Sequence, residues 1–151
     1  MESNTLEQMR GVLITLQGGK VLLPNTTVSE IISYIAPESV SGKPDWYLGA
    51  IRWKGYRLPL VSLSGLMGWQ GTASPGGAKI SILKALSGES KMPYYAILTQ
   101  GFPRLVNIAS NQLLDDAEHD SDLYYSAYLN DEAVSVPDLE QVEKLINEQH
   151  F

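Results

Sequence analysis

The 151-residue chain contains no cysteine. That absence excludes disulfide scaffolds, thiolate zinc sites, iron–sulfur clusters and cysteine nucleophiles, and it gives no sign of an oxidising compartment. Long hydrophobic runs are missing as well: nowhere do about 18 apolar residues follow one another, the length a membrane helix needs. The start, Met1-Glu2-Ser3-Asn4-Thr5-Leu6-Glu7, carries acids where a secretion signal needs positive charge before an apolar run. A cytoplasmic location is therefore expected, with no direct membrane insertion.

Histidine is nearly absent too. His119 lies in an acidic stretch and His150 next to the end of the chain. Both segments are expected to be mobile, which is poor ground for a preorganised site. No serine sits in a G-x-S-x-G elbow, and neither a G-x-x-x-x-G-K-S/T nor a G-x-G-x-x-G phosphate loop occurs. Away from its ends the body offers only Glu30, Glu38, Asp45 and Glu89 as carboxylates, at spacings that carry no catalytic signature. Asp116, Glu118, His119, Asp120 and Asp122 fail as a calcium loop, because the sixth position is Ser121 and the twelfth Ala127. The expectation is a chain without enzymatic activity, metal or cofactor.

What is present is a lopsided charge distribution. Residues 1–110 hold ten basic and six acidic side chains, whereas residues 111–151 hold Lys144 alone against eleven acids. The total of −6 conceals both. At 44% hydrophobic and 19% charged, the chain is apolar enough to fold around a core.

Short apolar runs punctuated by Gly and Pro dominate the first 110 residues. Residues 11–16 and 20–24, separated by Gln17-Gly18-Gly19, predict a hairpin. Further strands are expected at 49–53, 57–63, 79–83 and 94–98. Many short strands with frequent turns favour a barrel or sandwich over parallel α/β. Val28, Ile31, Ile32 and Ile35 follow the helix period, yet β-branched residues and Pro37 favour a strand, so the local pattern leaves both open. At the C-terminus, Leu139, Val142, Leu145 and Ile146 form one apolar stripe behind Asp138 as N-cap, with Glu140, Gln141, Glu143, Lys144 and Asn147 largely outside it. Residues 1–9 are expected to be flexible and residues 111–122 to form an exposed acidic loop.

One cluster combines charge with aromatic surface. Arg52, Lys54 and Arg57 are interleaved with Trp53 and Tyr56, as in small β-barrels that bind single-stranded nucleic acid. Strand alternation puts Trp53 on the face opposite Arg52 and Lys54. Gly55 followed by Tyr56 marks a tight turn. Pro59 restricts its run to an edge or a bulge. Trp46 is read as packing at the core or its rim. The cluster has little basic support beyond it, and the acidic last quarter opposes a nucleic-acid partner.

Residues 20–68 are the most informative, with the specificity concentrated in residues 28–63. Lys20-Val21-Leu22-Leu23-Pro24 is followed by Val28-Ser29-Glu30-Ile31, then Pro44-Asp45-Trp46-Tyr47-Leu48-Gly49, a strand ending Trp53-Lys54-Gly55, and Leu58-Pro59-Leu60-Val61-Ser62-Leu63. This pattern resembles the CheW family of chemotaxis coupling proteins, and the resemblance continues more weakly to Ala133–Glu140. Trp46 and Trp53 with Lys54-Gly55 are similar to the couplers of type IV pilus chemosensory systems, of the ChpC and PilI kind.

The resemblance implies an all-β fold of two intertwined five-stranded SH3-like barrels with a short C-terminal helix, carried on a single domain over residues 1–151. It implies a non-catalytic adaptor between the regulatory domain of a CheA-type histidine kinase and the cytoplasmic tip of a methyl-accepting receptor. The partner-binding residues it implies are Glu30, Arg52, Trp53, Lys54, Gly55 and Arg57. Lys54 stands where the family has arginine. Lysine keeps the charge and loses the planar bidentate fork. A Glu30–Lys54 pair is expected, weaker in geometry than a Glu–Arg pair.

Overall fold

The computed structural model of the chain describes residues 8–69, 77–86, 92–109, 113–116 and 123–149. Ten strands make one continuous hydrogen-bonded system that curls around separate cores. The N-terminal hairpin pairs β1 (Gln8–Leu16) with β2 (Gly19–Pro24), turning at Gly18, whose φ of 89° suits glycine. A 3-10 turn at Asn25–Thr27 leads into β3 (Val28–Ser33). The segment with mixed helix and strand signals is thus a strand, paired antiparallel with β6 (Ala78–Lys84). Its β-branched residues prevail because Ile32 packs against buried Ile80 and Ile82 of a sheet.

Strands β4 (Tyr47–Trp53) and β5 (Tyr56–Val61) form the next hairpin. Its two turn residues both have positive φ, 47° at Lys54 and 83° at Gly55, as a type I′ turn requires. Pro59 faces Ala50 in the β4 ladder. Counting from the two-residue turn, this is a non-hydrogen-bonded position, so the ladder to β4 loses nothing at Pro59. Pairing of β5 with β7 starts one residue later, at Leu60. The strand expected to run through Leu63 stops at Val61. There Ser62 caps a short helix, α1 (Leu63–Met67), its hydroxyl accepting from the Gly65 N–H at 3.0 Å.

The longest element is β7 (Tyr94–Ala109), sixteen residues where only its first third was expected. Its first part pairs with β6 and its second part with β1. The strand therefore belongs to two barrels in turn, bending where Gly101 adopts φ 64°. The first barrel runs β3-β6-β7-β5-β4. It is closed by a bridge in which the Glu38 N–H donates to the Ala50 carbonyl at 2.8 Å and the Ala50 N–H to the Glu38 carbonyl at 3.0 Å. Gly49 makes this closure possible: its φ is 143°, and a Cβ there would sit 2.2 Å from the Glu38 carbonyl oxygen. The core inside is Ile51, Leu58, Leu60, Ile80, Ile82 and Ala96.

The second barrel continues from β7 through β1, β2, β10 (Glu132–Pro137), β9 (Tyr124–Leu129) and β8 (Leu113–Asp116). Leu13, Leu22, Ile108, Ala127, Leu129 and Val134 fill it. The chain thus begins in the second barrel, builds the first, and returns through β7, which is the intertwining the family resemblance implies.

Two further boundaries differ from expectation. Residues 113–116 of the expected acidic loop are a strand, paired from Leu113↔Leu129 to Asp116↔Ser126. Cross-strand pairing there outweighs the loop-like charge of Asp115-Asp116, a tertiary effect that composition does not report. Residues 117–122, with His119 and most of the weighed acidic cluster, lie outside the described residues, as does His150. At the N-terminus the strand already includes Gln8 and Met9, and residues 1–7 lie outside the description.

A third core lies between the barrels. Val12, Ile14, Leu16, Val21 and Leu23 meet Val61, Leu63, Leu83, Tyr95 and Ile97 there, and the C-terminal helix α2 (Leu139–Asn147) covers them with Leu139, Val142 and Ile146. Asp138 is its N-cap, accepting from the Gln141 N–H at 3.3 Å. Glu143, expected outside the apolar stripe, is only 1% exposed. Its carboxylate accepts from the Leu86 N–H at 2.7 Å, which provides the hydrogen bond a buried charge needs.

Candidate partner-binding site at the β4–β5 hairpin

Strand β3 and the β4–β5 turn bring Glu30 and Lys54 together: Lys54 Nζ lies 3.3 Å from Glu30 Oε1. A second donor reaches the same oxygen. Trp53 Nε1 donates to Glu30 Oε1 at 3.2 Å. The Lys54 ammonium also lies over the Trp53 ring, 5.2 Å from its centroid. Glu30, Trp53 and Lys54 are therefore one cluster.

This placement corrects the alternation argument. Lys54 does not face away from Trp53, because the strand ends at Trp53 and the left-handed turn conformation swings the lysine back over the indole. Arg52 does face away. It stands directly across from Arg57 in the ladder, while Trp53 stands across from Tyr56. Arg57 Nε approaches Glu38 Oε1 at 3.8 Å, which offsets the two like charges set opposite one another. The basic-aromatic cluster of the sequence is thus split into an arginine face and an aromatic face.

The aromatic face is larger than the sequence suggested. Tyr94, from β7, meets Trp53 edge-on at 5.0 Å and Tyr56 at 5.2 Å, and Tyr56 stacks with Trp53 at 6.3 Å. Trp53 and Tyr94 pack half-buried against the first barrel's core. Tyr94 is 41 residues from Trp53 in sequence, so only the β5–β7 and β6–β7 pairings disclose it. Trp46 packs against the core between the barrels, as expected. Gly55 shapes the turn with its positive φ.

Chemically the cluster presents charge, hydrogen-bonding groups and ring surface together at the rim of the first barrel. One carboxylate oxygen is held by an ammonium and an indole N–H, on a rigid aromatic base, with an arginine pair on the reverse face. Among the described residues, no group of three or more His, Asp or Glu side chains could hold a metal ion. No helix among them is long and apolar enough to cross a membrane.

Two SH3-like barrels around a shared strand, closed by a C-terminal helix, define a scaffold-type domain. Residues 10–146 match the CheW-like domain, and the chain belongs to that family. It is a family of non-catalytic coupling scaffolds in chemosensory systems. Among solved structures, the chain is similar in fold to the scaffolding protein TtCheW from Thermoanaerobacter tengcongensis. The TM-score is 0.73 at 16% sequence identity, covering 87% of this chain and 89% of that one. Among curated proteins, none matches the chain.

Proposed function

We propose that this chain is a non-catalytic adaptor that couples the regulatory domain of a CheA-type histidine kinase to the cytoplasmic tip of a methyl-accepting receptor. Family membership over nearly the whole chain supports the adaptor role. The observation that carries the site is the shared oxygen of Glu30, held by Lys54 and Trp53 at the rim of the first barrel. Glu30, Trp53, Lys54 and Gly55 form one contact surface, and Arg52 and Arg57 a second on the reverse of the hairpin. Charge on these faces sets orientation and association rate, while buried apolar anchors supply most of the affinity.

The alternative, a barrel that binds single-stranded nucleic acid through the same residues, loses support from the geometry. Stacking proteins set cations beside their aromatic platform. Here Arg52 and Arg57 lie on the face opposite Trp53, and Lys54 is engaged with Glu30. The resemblance of Trp46, Trp53 and Lys54-Gly55 to couplers of the ChpC and PilI kind supports a place in a type IV pilus system, where twitching motility is the output. In that setting the protein is cytoplasmic and reaches receptor arrays through its partners.

The test is reconstitution with the cognate kinase and receptor fragment. The chain is expected to bind the kinase regulatory domain and to make kinase activity receptor-dependent, and its deletion to abolish twitching while sparing swimming. Absence of binding to any cognate kinase and receptor, or tight binding to oligonucleotides, overturns the adaptor reading. Intact twitching with lost swimming overturns the pilus assignment alone.

A further inference from the structure

The outer face of the β4–β5 hairpin sets two like charges against each other. Arg52 and Arg57 are partners in the ladder, next to the Trp53↔Tyr56 pair that flanks the two-residue turn. Counting from that turn, theirs is a non-hydrogen-bonded position, where opposed side chains stand closest. Both point away from the barrel core, which takes Ile51 and Leu58 of the next pair, and both are exposed. Like charges directly opposite one another destabilise a sheet. The free protein therefore carries a cost here that a neutral pair would remove.

Glu38 compensates part of it. Its backbone is fixed by the two hydrogen bonds that bridge it to Ala50. From there its carboxylate comes to 3.8 Å from Arg57 Nε, which is beyond hydrogen-bonding distance. Arg52 makes no ion pair among the described residues. On the aromatic face Lys54 and Glu30 neutralise one another. Two guanidiniums thus share one loosely placed carboxylate, and the outer face favours a further negative charge.

We propose that Arg52 and Arg57 clamp a single carboxylate, an aspartate or glutamate side chain of the protein that docks on this face. The inference rests on the adaptor reading and gives its second contact surface a chemistry. A guanidinium presents parallel N–H donors that match the two oxygens of a carboxylate. One carboxylate set between the two arginines removes their repulsion and pairs Arg52, with which Glu38 makes no ion pair. Glu38 then competes with the incoming carboxylate for Arg57. A nucleic-acid phosphate is disfavoured, because Trp53 and Tyr56 lie on the opposite face and no base could stack on them beside the pair.

The test measures binding of the full chain to the cognate kinase regulatory domain and to the receptor fragment, with Arg52→Gln, Arg52→Lys and Glu38→Gln as variants. Arg52→Gln is expected to weaken binding to at least one of the two partners about tenfold. Arg52→Lys keeps the charge, loses the fork and is expected to weaken the same binding about threefold. Glu38→Gln keeps its backbone bridge and is expected to tighten that binding about twofold, because its carboxylate no longer competes. Without any partner, Arg52→Gln is expected to melt about 1–3 °C above Arg52→Lys at low salt, a difference lost at about 1 M salt. A parent chain that binds neither partner overturns the adaptor reading and this inference with it. A parent that binds, with Arg52→Gln within about twofold of it for both partners, overturns this inference alone. So does Arg52→Lys binding as tightly as the parent, Glu38→Gln binding more weakly, or equal melting of Arg52→Gln and Arg52→Lys at low salt.

Discussion

The indole N–H of Trp53 and the ammonium of Lys54 converge on the same oxygen of Glu30, at 3.2 Å and 3.3 Å. Where the family pattern has arginine, one side chain can supply two donors. Here two neighbouring side chains supply one each. The prediction is specific. Trp53→Phe keeps a ring against Tyr94 and deletes the donor, and is expected to weaken partner binding several-fold while costing about 0.5–1.5 kcal/mol of stability. Adding Lys54→Arg to Trp53→Phe is expected to restore binding, because the guanidinium supplies the missing donor. A double-mutant cycle read by urea unfolding and kinase pull-down checks this. Additive losses in the double variant would show that Trp53 does not position Glu30.

Lys54 has two roles that separate variants can distinguish. It carries the charge, and it occupies a left-handed turn position at φ 47°. Asparagine tolerates that conformation and valine does not. Lys54→Asn is therefore expected to keep stability within about 0.5 kcal/mol, while Lys54→Val loses roughly 1–2 kcal/mol. Partner binding should fall in both if the charge is what matters. The exposed ion pair alone contributes about 0–1 kcal/mol, so binding rather than melting temperature is the informative readout.

Local chemistry made some of this legible from sequence. The Lys54-Gly55 turn, the Asp138 cap and the apolar stripe of α2 each rest on neighbours within a few residues, and each stands where expected. Long-range features were not legible. The sequence suggests a strand only over 94–98, yet β7 runs on to Ala109 because β6 pairs with one part and β1 with the other. Asp115-Asp116 reads as a solvated loop, yet β9 provides a ladder for it. Glu143 reads as a solvent-facing residue of an amphipathic helix. Its partner, the Leu86 N–H, is 57 residues away. The alternation rule misplaced Lys54 because it assumes that the strand continues past Trp53.

Closure of the first barrel depends on Gly49. Any side chain there would be driven into the Glu38 carbonyl, whose bridge to Ala50 joins the segment after β3 to β4. Gly49→Ala is expected to destabilise by roughly 2 kcal/mol or more. Hydrogen exchange at the Ala50 N–H should accelerate with it, since that amide donates to Glu38. A stable variant with unchanged protection there would mean that the backbone relaxes without opening the barrel.

Glu132 gives stability a defined acid dependence. Hydrogen bonds from Lys20 and Arg104 hold its carboxyl below the ordinary value of 4.5. A carboxyl depressed in the fold stabilises above its unfolded pKa, and the contribution is lost as pH falls through the folded value. Glu132→Gln is expected to melt earlier than the parent at about pH 7 and to converge with it as the pH falls through the lowered folded value. Parallel melting curves across that range would show that the three-residue cluster contributes nothing on folding.

Tyr95 presents the opposite case, a polar group whose loss should help. It is fully buried in the core between the barrels, and its hydroxyl has no hydrogen-bond partner among the described residues. Burial first, and then the Glu143 carboxylate, push its pKa above the ordinary 10.0. An orphan buried hydroxyl carries a desolvation penalty, so Tyr95→Phe is expected to be neutral or to stabilise by about 1 kcal/mol near pH 7. The sign at alkaline pH follows from linkage. Below pH 10 neither state ionises this group, but above it the unfolded chain releases the proton while the folded chain does not, which favours unfolding. The parent should therefore lose stability between about pH 10 and 11 faster than Tyr95→Phe does. Urea titrations of both proteins at neutral and alkaline pH measure the difference. A loss of more than about 1 kcal/mol in Tyr95→Phe at pH 7 would mean that the hydroxyl is hydrogen-bonded in solution.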